Sequence, residues 1–230
     1  IVKLEMASIE PFTFNNLEEG TGYLNGKLTV TGEASNPNVN GNIKFNEVGF
    51  TVVTLNSKFQ LLNDNIVFDT NRIVFDDFKL EDEANNPLTI NGFIDSKDYA
   101  NLGFDLRVVA RNFKAVNSNA QDNDLFYGQL YLDNNLGIKG TLNNPVIDGT
   151  VRINPDTKFT IVLPQNDPSI VDREGIVEFI DQDQPVLITI EDPTKQITQT
   201  QVKGINASVN ISVDKEAEIS IIIDEANGDY

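Results

Sequence analysis

The residues of this chain that could carry acid–base or metal chemistry are almost all carboxylates, because its 230 residues include no histidine and no cysteine. Histidine-dependent catalytic triads, thiolate nucleophiles, and zinc sites with histidine or cysteine ligands are therefore impossible within it. Carboxylate pairs remain as candidates. They are Asp76 with Asp77, Asp122 with Asp124, and Asp181 with Asp183.

These pairs do not predict a catalytic or metal site. Asp76 and Asp77 could serve glycoside hydrolysis only if both carboxylates reached one substrate, and adjacent strand residues point to opposite faces. The spacing of the other two pairs matches no calcium-binding loop, so we interpret them as solvated turns. We expect no enzyme activity, no metal and no cofactor.

The charge of the chain bears on its partners. Seventeen basic residues against 35 acidic ones give a formal net charge of −18. A surface this acidic repels phosphate backbones, so nucleic acid is not an expected partner. The simplest interpretation is that the acidity keeps a β-rich chain soluble and prevents it from associating with other chains.

Apolar and polar residues alternate through most of the chain, which is the two-residue period of β-strands. FDLRVVA (104–110) and INASVNISV (205–213) are clear examples, and Asn, Asp, Gly and Pro fill the connections. The sequence offers no convincing helix. The pattern predicts an all-β fold of antiparallel strands, in which the sheet has one apolar face and one polar, solvent-exposed face.

A repeated segment predicts how two hairpins pair. Its copies are SNPNVNG (35–41), NNPVIDG (143–149) and a looser NNPLTING (85–92). With Asn-Pro at the centre of a four-residue loop, Gly32 faces Gly41 and Gly140 faces Gly149. This register puts every apolar residue on one face. It also predicts rungs of paired glycines where the sheet bends or something bulky sits.

We expect the apolar face to line a groove, because an apolar sheet face needs a second sheet, a helix layer or a ligand against it. Ten such side chains left in water forfeit roughly 15–30 kcal/mol, more than a typical net stability of about 5–15 kcal/mol. The candidate lining residues are Leu28, Val30, Ile43, Phe45, Phe104, Leu106, Val108, Leu130, Leu132, Ile138, Val151 and Ile153. The alternative is an ordinary β-sandwich core without a ligand.

Several segments resemble the C-terminal region of the TamB family. They are LTVTGEASNPNVNGNIKF, NIVFDTNRIVFDDFKLEDEANNPLTINGFI, NDLFYGQLYLDNNLGIKGTLNNPVIDGTVRI and DREGIVEFIDQ. The resemblance covers most of residues 29–182, and the tail from 205 onward follows the same pattern. It rests on the ordered set, in which the GxL…NPxVxGxI spacing occurs twice, because no single motif is decisive.

The resemblance implies more than periodicity can show. The family's fold is a long β-sheet curled lengthwise into a β-taco, or half-pipe, with an apolar inner groove. Its members are anchored in the inner membrane and cross the periplasm to an outer-membrane barrel of the Omp85 class. The resemblance implies a non-catalytic role in outer-membrane biogenesis, with phospholipid acyl chains or unfolded outer-membrane protein strands as cargo.

We expect residues 1–230 to form one elongated β domain, with internal hairpin repeats at about 26–53 and 134–161. The chain starts at Ile1 and stops just after an apolar alternation, so we interpret it as a fragment without the parent's inner-membrane anchor. The resemblance implies that the chain is part of a periplasm-spanning hydrophobic conduit; the two alternatives are a β-sandwich binding or adhesion module and a carboxylate enzyme of the β-helix type. The enzyme is disfavoured because solenoid repeats are much shorter than this hairpin repeat.

Overall fold

The computed structural model describes residues 2–33, 36–163 and 205–223, and within them the chain is built from strands and short 3₁₀ helices. The strands are β1 (Val2–Glu5), β2 (Leu17–Glu33), β3 (Asn36–Val52), β4 (Ser57–Leu61), β5 (Asn65–Asp69), β6 (Arg72–Asp82), β7 (Pro87–Asp95), β8 (Gly103–Ser118), β9 (Phe126–Thr141), β10 (Asn144–Ile153), β11 (Lys158–Val162), β12 (Asn206–Val213) and β13 (Glu218–Ile222). The 3₁₀ helices are Met6–Ser8, Glu10–Thr13 and Val53–Leu55. The all-β prediction is confirmed.

These thirteen strands belong to one sheet, in the order β1-β2-β3-β4-β6-β7-β8-β9-β10-β12. Three strands are not part of this linear order: β5 pairs with β3 and β6, β11 pairs with β9 and β13, and β13 pairs with β11. Strands β4 and β5 lie one after the other against β3, and β10 and β11 do the same against β9. Each of these pairs therefore acts as one interrupted strand. The described residues do not form the second sheet that a β-sandwich needs.

The expectation that every strand pair is antiparallel was wrong. Strand β12 pairs with β10, and β13 pairs with β11, both in parallel. Side chains alternate with a period of two in either kind of pairing, so the residue pattern contained no information on direction. Parallel neighbours require a long connection, and the chain between β11 and β12 passes through residues 164–204, outside the described ranges.

The two repeated hairpins share one register, but it is not the predicted one. The pairs are Gly32–Pro37 and Leu28–Gly41 in the β2–β3 hairpin, and Gly140–Pro145 and Leu136–Gly149 in the β9–β10 hairpin. Each connection is only two residues long, so Asn-Pro belongs to the returning strand instead of the turn, and the predicted glycine–glycine rungs do not form. Relative to the predicted register, each residue pairs with one an even number of positions away from its predicted partner. The apolar residues therefore stay on the predicted face.

Glycine is required at two equivalent places in these hairpins. Gly41 has φ +140° and Gly149 has φ +139°. A Cβ on Gly41 would lie 1.9 Å from the carbonyl oxygen of Lys27, and one on Gly149 would lie 2.1 Å from that of Asn135. Because the obstructing atoms belong to the backbone of the neighbouring strand, only glycine allows the strands to approach this closely.

We expect Gly41→Ala to lower the free energy of unfolding by at least about 1–3 kcal/mol, the cost of a residue held in a sparsely populated backbone region. Urea denaturation measures the change. Gly103→Ala is the matched control, because the nearest atom to its new Cβ is the Asp95 Cβ at 3.2 Å and its φ is not left-handed. Equal denaturation midpoints for the two variants would contradict the steric argument.

A bulge in β6 changes the interpretation of one carboxylate pair. Phe75 and Phe78 face the same side, with ring centroids 5.6 Å apart, so the two residues between them form the bulge. Both Asp76 and Asp77 are exposed, contrary to the expectation that they point to opposite faces. The Asp77 amide donates to Asn91 Oδ1 (2.8 Å), and Asn91 Nδ2 donates back to Asp77 Oδ1 (3.1 Å). Asp77 thus closes the bulge.

A second bulge lies in β8, between Ala110 and Phe113. The Asn112 amide donates to Asp133 Oδ1 of β9 at 2.7 Å, and Asn154 Nδ2 donates to the same oxygen at 2.9 Å. Burial alone raises the pKa of Asp133, but these two hydrogen bonds and the nearby charges of Arg152 and Arg111 together leave the pKa below its ordinary value. Bulges of this kind bend a strand and increase its twist.

The sheet folds over itself beyond the β6–β7 hairpin, where β4 meets β8 although they are not neighbours in the sheet. Phe59 of β4 stacks on Phe113 of β8, with centroids 5.3 Å apart and planes 5° apart, and both are buried. Ser57 Oγ donates to the Ala115 carbonyl oxygen at 3.2 Å. Together with Ala110, the two phenylalanines form a buried cluster that fills this end of the fold.

Candidate functional site: an apolar sheet face

One face of the sheet, which we call the inner face, carries continuous rows of apolar side chains. Directly paired residues on neighbouring strands share a face, so the rows can be followed through the register. One row, from β5 to β8, is Phe68, Ile73, Ile94 and Phe104. Another, from β8 to β12, is Leu106, Ile138, Ile147 and Ala207. The inner face is therefore apolar across most of the sheet.

All twelve residues predicted to line a groove lie on the inner face, and none of them is fully buried. Leu28 is 42% exposed and Val30 is 64% exposed. The half-buried ones are Ile43, Phe45, Phe104, Leu106, Val108, Leu130, Leu132, Ile138, Val151 and Ile153. An ordinary closed core would bury most of such a set, so other parts of the described chain only partly cover this face.

Coverage of the inner face is uneven. Phe45 and Leu132 pack against the two buried clusters. At the far side of the sheet, Ile211 is 67% exposed and Ile221 is 49% exposed. Their strands β12 and β13 show the same alternation as the rest, so Ile211, Val213, Ile219 and Ile221 are inner-face residues that the candidate set omitted. Their alternation was the signal that could have included them.

A small apolar depression lies at the opposite margin, between β1, β2 and β3. It measures about 280 Å³ and is lined by Leu4, Leu24, Asn25, Gly26, Leu28 and Ile43. No charged side chain lines it, and Gly26 contributes no side chain. Its chemistry suits part of an alkyl chain, which needs apolar contact and no specific polar partner.

A polar depression on the described part of the chain contains a carboxylate that is already paired. It measures about 630 Å³ and is lined in part by Glu19, Lys58 and Thr51. Lys58 Nζ lies 2.7 Å from Glu19 Oε2, and Thr51 Oγ1 donates to the same oxygen at 2.8 Å. The hydrogen bonds from Lys58 and Thr51 lower the pKa of Glu19. This carboxylate is thus engaged in holding β2, β3 and β4 together.

Of the remaining candidate carboxylates, Asp122 has a structural position. Asp122 Oδ2 accepts from the Asn119 amide at 2.7 Å and from Asn56 Nδ2 at 3.1 Å, which closes the β8–β9 loop against the 3₁₀ helix Val53–Leu55. Asp181 and Asp183 lie outside the described residues. Within the described ranges, no cluster of three or more His, Cys, Asp or Glu side chains could hold a metal ion. Nor does this part of the chain contain a helix long and apolar enough to span a membrane.

A family model described as the TamB C-terminal domain matches residues 76–227, which is more than half of the chain. The matched range contains strands β7 to β13 and therefore the more exposed part of the inner face. No curated protein and no solved structure matches the chain.

Proposed function

Because the chain belongs to the TamB C-terminal domain family, we propose that its inner face is a segment of a hydrophobic conduit across the periplasm. The family takes part in outer-membrane biogenesis within the translocation and assembly module, and its members are envelope-associated proteins of the periplasm. The cargo is phospholipid, moving between the inner and outer membranes, or unfolded strands of outer-membrane proteins. The proposed role involves no catalytic step.

The observation that carries this proposal is the incompletely covered inner face. Every predicted lining residue retains accessible surface, although burying one such side chain fully is worth about 1.5–3 kcal/mol. An acyl chain laid along the rows would supply that burial. It needs only apolar width and no specific hydrogen bond, which agrees with the alternation of apolar side chains along β7 to β13.

We further propose that the sheet is curled lengthwise into a half-pipe around this face. Close strand approach at Gly41 and Gly149, the bulges in β6 and β8, and the contact between Phe59 and Phe113 all support strong curvature. A curled sheet surrounds a linear cargo on three sides while leaving an entry along its length. The curl thus turns an apolar surface into a groove.

We also propose that the protein acts with an outer-membrane barrel of the Omp85 class and is anchored in the inner membrane. Family membership supports association with that barrel class in outer-membrane assembly. The inner face then contributes a stretch of the path between the two membranes.

Site-specific photo-crosslinking tests the proposal. Photoreactive residues are placed at Val108 and Ile138 on the inner face, and at the adjacent outer-face positions Arg107 and Lys139. With phosphatidylethanolamine vesicles, we expect lipid adducts from the first two positions and none from the second two. Inner positions that crosslink only to the protein itself would support the closed β-sandwich module and overturn the conduit.

A further inference from the structure

The segment between β1 and β2, residues 6–16, lies across part of the inner face, and we call it the strap. Met6 is 6% exposed and forms one buried cluster with Val48, Leu61 and Phe78. Phe78 pairs with Ile90 of β7, and Ile90 with Val108 of β8, so this cluster stands on the same face as the predicted groove. The strap therefore occupies a place on the inner face with its own apolar side chain.

Two hydrogen bonds attach the strap at its base. The Gly20 amide donates to Glu10 Oε1, and the Val53 amide donates to the Asn16 carbonyl oxygen at 3.0 Å. A Cβ added to Gly20 would lie 2.8 Å from Glu10 Oε1 and 3.0 Å from both the Ala7 nitrogen and the Met6 carbonyl carbon. Gly20 thus provides the space in which the strap backbone rests against β2.

The other end of the strap is largely exposed to solvent. Phe12 is 79% exposed and Phe14 is 90% exposed. Phe14 and Asn15 have φ of +53° and +61°, a region that non-glycine residues rarely adopt. Residues 6–16 form 3₁₀ helices and turns and contribute no strand to the sheet. Such an element, with one buried anchor and few backbone bonds, opens more readily than the strands beneath it.

We propose that the strap is a built-in plug that takes the place of cargo on the inner face between β2 and β6. The inference rests on the proposed function, since it assumes that an acyl chain uses the inner face. Met6 and Ile9 fill the position of an acyl chain while the strap is seated. Cargo then reaches β7 to β13 at all times, and reaches Ile66 and Phe75 only when the strap lifts.

We expect Gly20→Val to release the strap while leaving Ile66 and Ile138 unchanged, because its branched side chain cannot fit beneath Met6 and Ala7. The control is Gly137→Val, since the atoms nearest to a Cβ at Gly137 all belong to the flexible Asp148 side chain. The chain contains no cysteine, so Met6→Cys introduces a single thiol. We expect maleimide to label that thiol at least ten times faster with Gly20→Val, and at an unchanged rate with Gly137→Val.

Lipid access is then measured with photoreactive residues at Ile66, which packs against the buried cluster containing Met6, and at Ile138, which lies outside that cluster, using phosphatidylethanolamine vesicles. We expect Ile138 to form lipid adducts in every variant, and Ile66 to do so only with Gly20→Val. Adducts at Ile66 with the native strap would overturn the plug and leave the conduit standing. The plug would also be overturned if the Met6→Cys thiol became accessible to maleimide with Gly20→Val while Ile66 still formed no lipid adduct. If neither Ile66 nor Ile138 formed lipid adducts in any variant, the conduit would be overturned, and the plug with it.

Discussion

Asp82→Asn is expected to lower the free energy of unfolding by about 3–5 kcal/mol. Asp82 is 1% exposed at the end of β6. Its Oδ1 accepts from the amides of Ala84 (2.9 Å) and Asn86 (2.8 Å), and its Oδ2 accepts from Asn86 Nδ2 (3.0 Å) and the Lys114 amide (2.8 Å). An asparagine turns an NH₂ group towards two of these donors. Two hydrogen bonds to a charged acceptor are lost, each worth about 1.5–3 kcal/mol.

The same carboxylate predicts how stability depends on pH. Burial alone raises the pKa of Asp82, but the hydrogen bonds from the Lys114 amide, the two Asn86 donors and the Ala84 amide together outweigh burial, so the folded pKa lies below that of the unfolded chain. The pKa of Asp133 is lowered in the same way. Such groups stabilise the fold fully above the unfolded pKa of about 3.9. This stabilisation is lost as pH falls through the folded pKa.

Urea denaturation at pH 7, and at a series of values below about pH 4, tests both effects. Asp82→Asn should shift the midpoint strongly at pH 7 and weaken the decline in acid. The exposed Asp76→Asn is the matched control and should change stability by less than about 0.5 kcal/mol. A wild-type midpoint for Asp82→Asn at pH 7 would show that Asp82 does not hold β8 against the β6–β7 hairpin.

Ile138→Asp is expected to reduce bound phospholipid at least tenfold, because it places a carboxylate in the middle of an apolar row. Ile138 pairs with Leu106 on one side and Ile147 on the other. An ionised carboxylate loses much of its hydration when an alkyl chain covers it, and that cost is high when no partner is present. Because Ile138 is only half-buried in the free protein, the fold itself tolerates the change better than the complex does.

Two further variants separate the charge from its position. Asn135→Asp adds the same single charge to the same strand, but at an exposed position that alternation places on the opposite face. It should retain wild-type lipid. Ile138→Val keeps the apolar row and should also retain lipid. If Asn135→Asp lost as much lipid as Ile138→Asp, the effect would come from net charge and not from the inner face.

Much of the inner face could be predicted from residue alternation alone. Residues such as Leu106 and Ile138 stay on the apolar face in any register that keeps the apolar side chains together, because such registers differ by an even number of residues. The direction of β12 and β13 could not be predicted, since parallel and antiparallel strands alternate alike. Nor could the tight connections, because Pro37 and Pro145 were equally compatible with a turn and with the start of a strand, where a missing N–H is tolerated.

Other features depend on contacts between distant segments. Asp82 lies in the acidic run EDE, and nothing local distinguishes it from Glu81 and Glu83; only the arrival of Lys114 from β8 makes it a buried acceptor. Met6 belongs to a segment without periodicity, so its place on the inner face depends on the close approach at Gly20. The plug therefore could not be inferred before the fold was known.

Native mass spectrometry of the gently purified protein tests the central claim most directly. The conduit predicts that the folded wild type and Asn135→Asp carry additional mass corresponding to intact phospholipid, and that Ile138→Asp does not. A folded wild-type protein without lipid, or equal lipid on Ile138→Asp and wild type, would contradict the claim that the inner face carries acyl chains.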